Sequence, residues 1–192
     1  MQFIILNGMP SKNLTIQKIN TMIAEKLQQK DIQGEILNLH EKDIKPCLGC
    51  FKCWVETPGI CIINDYGREV AKKIIQSDYL IYVTPITFGG YSAELKKAVD
   101  RTLPLLSPFF RIYHNEIHHE QRYENYPDLI VIGFLDYPDE EQETIFKTLV
   151  YRNQLNNFAK RYSSQIIYSS DDEQIIETKI DESISIVGEK NE

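Results

Sequence analysis

The chain has 192 residues, 42% of them apolar, which is enough to bury one sizeable core and too few for two ordinary domains. A formal net charge of −7 argues against an electrostatic fit to nucleic acid or to an anionic membrane surface. No apolar run approaches the ~20 residues a spanning helix needs, and the opening MQFIILNGMP has no basic leader, so a cytoplasmic, reducing setting is expected.

Residues 2–6 (QFIIL) are a compact apolar run that reads as a strand, and Ile16, Ile19, Ile23 and Leu27 then recur at the spacing of a helix burying one face. Residues 34–39 alternate as a second strand. A cysteine-rich segment follows, then residues 65–77, helix-patterned through Val70, Ile74 and Ile75, and a third strand over 79–84. A helix over about 93–105, a strand over 129–135, a helix over about 139–161 and a last strand near 165–168 complete the series. Repeated βα units with nearly all-apolar strands indicate a parallel sheet covered on both faces.

Residues 107–127 form the one long irregular stretch. Its aromatics (Phe109, Phe110, Tyr113, Tyr123 and Tyr126) suggest a lid or a subunit contact, because large rings without a periodic core of their own need cover. His114 and His118 would share one face of a helix at i, i+4, which reads as a solvated or interface helix ahead of a zinc site. Lys96, Lys97, Asp100 and Arg101 read as helix surface, with Asp100 and Arg101 paired at a subunit contact. Residues 169–192, acidic and then alternating in isoleucine, read as a tail: an edge strand, a swapped arm or disorder.

Every cysteine lies in the stretch PCLGCFKCWVETPGIC: Cys47, Cys50, Cys53 and Cys61, spaced C-x2-C-x2-C-x7-C. Two-residue spacers let successive sulfurs point into one concavity, as an iron-sulfur cluster requires. Zinc fits less well, since its sites use two separated knuckles. Thiols that stay free and pack under the loop are the third reading. Trp54, next to Cys53, shields a cluster or belongs to the core or an interface.

In open parallel sheets, ligands sit outside the carboxyl ends of the strands. After the first strand comes NGMPSKNLT, where backbone N–H groups and a helix N-terminus suit a phosphate; Ser11, Asn13 and Thr15 serve equally as an ordinary N-cap. After the third comes TPITFGGYS, whose Gly89 and Gly90 beside an aromatic let a flat ligand such as a flavin ring approach the backbone.

With PCLGCFKCW, the following Gly59, Ile60, Cys61 and Asp65, and TPITFGGYSAELKKAVDR, the chain resembles the flavodoxin-like NADPH-dependent FMN reductases and, within them, the iron-sulfur flavoproteins. The likeness covers residues 1–105, and 129–168 by pattern. It implies a flavodoxin-like α/β three-layer sandwich whose five-stranded parallel sheet runs in the order 2-1-3-4-5, spanning residues 1–168 with 107–127 as an insertion or lid. It further implies FMN phosphate at Pro10, Ser11, Asn13 and Thr15, with Lys12 supplying a charge. The flavin ring would lie on Pro85, Ile86, Thr87, Phe88, Gly89 and Gly90, in a homodimer or homotetramer.

The expected function is an FMN-dependent NAD(P)H oxidoreductase that reduces a quinone, a flavin, an iron-sulfur group or a redox protein. Cys47, Cys50, Cys53 and Cys61 would ligate a 4Fe-4S cluster. No acid-base side chain is expected to carry the chemistry, because the cofactor does so. Two alternatives are a non-enzymatic electron carrier between protein partners and a flavin-free interaction module.

Overall fold

The computed structural model describes residues 1–9 and 14–188, and for residues 14–16 the backbone alone. The chain runs β1 (Gln2–Asn7), α1 (Leu14–Gln28), β2 (Gln33–Asn38), the short α2 (Lys52–Val55), α3 (Tyr66–Gln76), β3 (Tyr79–Pro85) and α4 (Ala93–Asp100). It continues with β4 (Leu106–Tyr113), β5 (Glu116–Gln121), β6 (Asp128–Leu135), α5 (Glu140–Asn156), β7 (Tyr162–Tyr168) and α6 (Glu173–Ser183).

Five strands pair in parallel in the order β2-β1-β3-β6-β7. Leaving out the hairpin β4-β5, this is the expected 2-1-3-4-5. The strand periodicity of two divides the core between the faces. Ile4 and Leu6 of β1 with Leu80 and Tyr82 of β3 pack under α3, α4 and α5, while Phe3, Ile5, Ile81 and Val83 pack under α1 and α6. Parallel neighbours need crossover connections, which is why the strands read as apolar on both sides. No helix among the described residues is long and apolar enough to cross a membrane.

Four sequence expectations are corrected. The helix expected over 93–105 stops at Asp100 and becomes a short 3-10 turn at Leu103–Leu105, because Pro104 cannot continue an α-helix. The helix expected to reach 161 ends at Asn156, two residues before Phe158 turns left-handed. The 107–127 stretch is not helical. It holds the antiparallel hairpin β4-β5, with Ile112 opposite Ile117, closed by His114 and Asn115, both at positive φ as a two-residue hairpin turn requires. His114 is therefore a turn residue. His118 faces inward from β5 and sits 3.1 Å from Asn156 Oδ1 and 3.2 Å from Glu116 Oε2.

Over its described residues, 169–188, the tail is likewise ordered. Asp172 caps α6 by accepting the Ile175 N–H at 2.9 Å, and Ile180 and Ile184 are buried in the face shared with α1. Their spacing with Ile176 is four residues, a helical period that the alternation with polar residues concealed.

Candidate functional site

The loops at the carboxyl edge are locked to one another. Asn7 closes the turn after β1 by accepting the Met9 N–H (3.1 Å), and its amide donates to Asn38 at 3.0 Å. Gly8 passes so near α4 that a Cβ there would lie 2.6 Å from Leu95 Cβ and 2.8 Å from Ser92 Oγ. That closeness lets the Ser92 hydroxyl donate to the Gly8 carbonyl at 2.5 Å while capping α4 at Leu95 N. Thr84 Oγ1 accepts the Ser92 N–H at 3.0 Å, so the third-strand loop is anchored at both ends.

A cavity of about 380 Å³ opens among these loops. Pro85, Ile86 and Phe134 supply apolar wall, and Asp136, Tyr168 and Asp171 supply polar wall. This is the size and mixed character of a small-molecule site. Ile86 N donates to Phe134 O at 2.8 Å, which fixes two of the apolar walls to each other. The Tyr168 hydroxyl donates to Glu143 at 2.8 Å, and burial together with that carboxylate pushes its pKa up to about 12, so it stays protonated. Lys179 neutralises Asp171 at 2.6 Å and lies over the Tyr168 ring. Asp136 accepts from Ser169 Oγ at 3.0 Å.

Of the residues expected to contact a flavin, Pro85 and Ile86 line this cavity. Thr87, Phe88, Gly89 and Gly90 form a tight turn beyond it, closed by reciprocal hydrogen bonds between Thr87 and Gly90 of 3.0 and 2.9 Å. Phe88 is 93% exposed, and both Phe88 and Gly89 have positive φ. Gly89 is constrained by its own chain, since a Cβ there would lie 2.6 Å from Ile145 of α5. Pro10, Ser11 and Asn13 lie outside the described residues, as does the side chain of Thr15. The walls from β6 and β7 carry no glycine-rich signature, and only their position at strand ends marked them.

The second cluster is the cysteine segment. Gly49, Phe51 and Gly59 have positive φ, which winds the chain tightly. Cys47, Cys50, Cys53 and Cys61 all line one cavity, together with Arg101. Burial pushes the Cys53 thiol up, and the sulfurs of Cys61, Cys47 and Cys50 add to that rise. Among the described residues no group of three or more His, Cys, Asp or Glu side chains stands close enough to hold a single metal ion. The cavity is about 20 Å³, room for about one water. The four thiols are nonetheless the donor set of an iron-sulfur cluster, and Leu48, Cys50 and Phe51 stand exposed on the outer side of the segment. Trp54 braces the segment by donating to the carbonyls of Leu103 (3.3 Å) and Leu106 (3.1 Å), and it stacks on Phe51.

Arg101 was misread as surface. It is 1% exposed and pairs with Asp65, whereas Asp100 pairs with Lys96. The guanidinium also donates to the carbonyls of Lys45 and Ile63, on either side of the cysteines. The sequence signal was an arginine three residues past Ala98, on the buried face of α4, with Asp65 four residues after the fourth cysteine.

The sequence profile of the NADPH-dependent FMN reductase family matches residues 1–119. An iron-sulfur flavoprotein of Methanocaldococcus jannaschii is 36% identical over 109 residues, covering 55% of this chain and 53% of that protein. An FMN-dependent NADPH-azoreductase of Staphylococcus aureus is 29% identical over 100 residues, covering 52% of this chain and 51% of that protein. The chain thus spans about half the length of the curated relatives it matches. Among solved structures, the FMN complex of an FMN-dependent NADH-azoreductase from Bacillus anthracis superposes with a TM-score of 0.67 at 13% identity, covering 96% of this chain and 98% of that one. An NAD(P)H:quinone oxidoreductase from Methanothermobacter marburgensis does so at 0.65 and 15%, covering 95% of each chain. At these identities the two structures speak for the fold.

Proposed function

Because the chain belongs to the NADPH-dependent FMN reductase family, we propose that it is an FMN-dependent NAD(P)H oxidoreductase whose flavin occupies the cavity at the carboxyl edge of β1, β3, β6 and β7. The observation that carries this is the cavity itself, apolar at Pro85, Ile86 and Phe134 and hydroxyl- and carboxylate-lined opposite. Bound FMN would supply the redox chemistry, hydride acceptance from reduced nicotinamide and electron transfer to a quinone, a flavin or an iron-sulfur acceptor. The chain's own residues bind and orient. Ile86 and Phe134 exclude water from one wall, and Ser169 and Tyr168 offer polar atoms to a hydroxylated chain. The described lining has no Lys or Arg, so the phosphate is assigned to the N-terminus of α1 and the residues that precede it in sequence, among them Lys12. Acid extraction after incubation with excess flavin tests this reading: FMN should be released, and recovery of FAD or of no flavin would refute it.

A second reading adds a 4Fe-4S cluster on Cys47, Cys50, Cys53 and Cys61, and it is supported by the convergence of all four on one cavity. The thiolates would hold the cluster, and the cluster would supply one-electron exchange with the flavin or with a protein partner. Iron and sulfide content after anaerobic purification decides it. Iron at background, with all four thiols titratable, leaves a plain flavin enzyme. The protein is further read as cytoplasmic and as a homodimer or homotetramer, the oligomer being supported by the exposed Phe109, Phe110, Ile112 and Ile117 of the hairpin.

A further inference from the structure

Arg101 is the largest side chain in the described molecule to be fully buried, and it lies where the four thiols meet. Its Nη1 donates to the Lys45 carbonyl at 2.8 Å, two residues before Cys47. Its Nη2 donates to the Ile63 carbonyl at 3.2 Å, two residues after Cys61. Both nitrogens reach the Asp65 carboxylate at 2.8 Å. One guanidinium thus holds both ends of the cysteine segment. Helix α3 starts in contact with it, for a Cβ on Gly67 would lie 2.9 Å from Arg101 Cζ.

The third nitrogen is different. Arg101 Nε is buried without a hydrogen-bond partner, a costly state for a charged donor unless the cavity supplies an acceptor. The guanidinium lines the cavity of Cys47, Cys50, Cys53 and Cys61. Asp65 already occupies the two terminal nitrogens. The other polar side chains lining the cavity are the four thiols and Asp100, which is paired with Lys96.

We propose that Arg101 is the positioning residue of the cysteine site: it fixes both ends of the ligand segment and turns its remaining N–H and its charge toward the ligated sulfurs. This rests on the reading of the four cysteines as cluster ligands. Hydrogen bonds and net charge at ligand sulfurs set a cluster's reduction potential, so the residue's effect is measurable apart from turnover.

The experiment compares wild type, Arg101→Lys and Arg101→Gln after anaerobic reconstitution with ferrous iron and sulfide, reading iron content, FMN content and the midpoint potential of the cluster by dye-mediated titration. The expected result is a midpoint shifted to lower potential in Arg101→Gln, a smaller shift of the same sign in Arg101→Lys, and FMN content equal in all three, because Arg101 does not line the flavin cavity. If circular dichroism shows that Arg101→Gln is not folded, the comparison is made on Arg101→Lys alone. Folded variants with wild-type iron content and midpoint would overturn the proposal and leave the cluster reading intact. Wild-type protein that takes up no iron would overturn the cluster reading, and this inference with it.

Discussion

Arg101 and Asp65, thirty-six positions apart, form a two-armed ion pair at 2.8 Å with side chains 1% and 3% exposed. Asp65 also accepts the N–H groups of Lys45 (2.8 Å) and Gly67 (2.9 Å), so one carboxylate joins the start of the cysteine segment, the start of α3 and the end of α4.

Removing one partner of such a pair leaves a buried charge uncompensated. Asp65→Asn is expected to lower stability by about 3–5 kcal/mol, read as a fall in the urea midpoint at unchanged slope. A midpoint equal to wild type would contradict the assignment.

The same pair sets a pH dependence. Burial pushes the Asp65 carboxyl up, but the hydrogen bonds from Arg101 and Lys45, the Arg101 charge and the Gly67 N–H outweigh it and hold the pKa below the ordinary value. A depressed folded pKa gives stability that is present above the unfolded value of ~3.9 and lost as pH falls through the folded one. Wild type should therefore lose stability steeply below about pH 4, and Asp65→Asn should show a shallower loss over that window. Parallel acid titrations of the two proteins would refute this.

Gly89 has φ +73, and a Cβ there would meet Ile145 at 2.6 Å. Gly89→Ala should destabilise by about 1–3 kcal/mol through backbone strain and this clash. Truncating the half-exposed Ile145 to Ala in the same chain should recover part of that loss, read as coupling in a double-mutant cycle. Additive effects would show that the clash is not the cause. Because the constraint is internal, loss of flavin from a Gly89 variant would not by itself place the ring at this turn.

Ser169 is exposed at the rim of the cavity, so a large side chain there should fill the site without disturbing the core. Ser169→Trp is expected to weaken FMN binding at least about tenfold, which is ~1.4 kcal/mol, with an unchanged far-ultraviolet spectrum. Wild-type affinity, measured by flavin fluorescence quenching, would move the flavin out of this cavity.

Ile112 and Ile117 face each other across the hairpin and are 80% and 74% exposed. If the hairpin is a subunit contact, wild type should scatter light as an oligomer at micromolar concentration and Ile112→Glu with Ile117→Glu as a monomer. A monomeric wild type would remove the hairpin from the interface.

The sheet was legible because its strands are apolar on both faces, as at residues 2–6 and 79–83, and no local alternative competes with that pattern. The hairpin was not. His114 and His118 satisfy a helical spacing by accident, and the turn depends on two left-handed residues of which only Asn115 is a usual choice. The spacing of the cysteines announced their convergence. The burial of Arg101 went unread because its partners, Lys45, Ile63 and Asp65, approach only through tertiary folding. Phe134, Tyr168 and Asp171 line the cavity solely because β6 ends beside β3 and β7 beside β6, and they carry no motif of their own.

Anaerobic addition of NADPH to the FMN-loaded protein, followed at the oxidised-flavin absorbance band, tests the oxidoreductase reading most directly. The band should bleach with matching loss of NADPH absorbance and return when a quinone is added. A bound flavin whose band is unchanged by excess NADPH and by excess NADH would contradict the account and leave an electron carrier in its place.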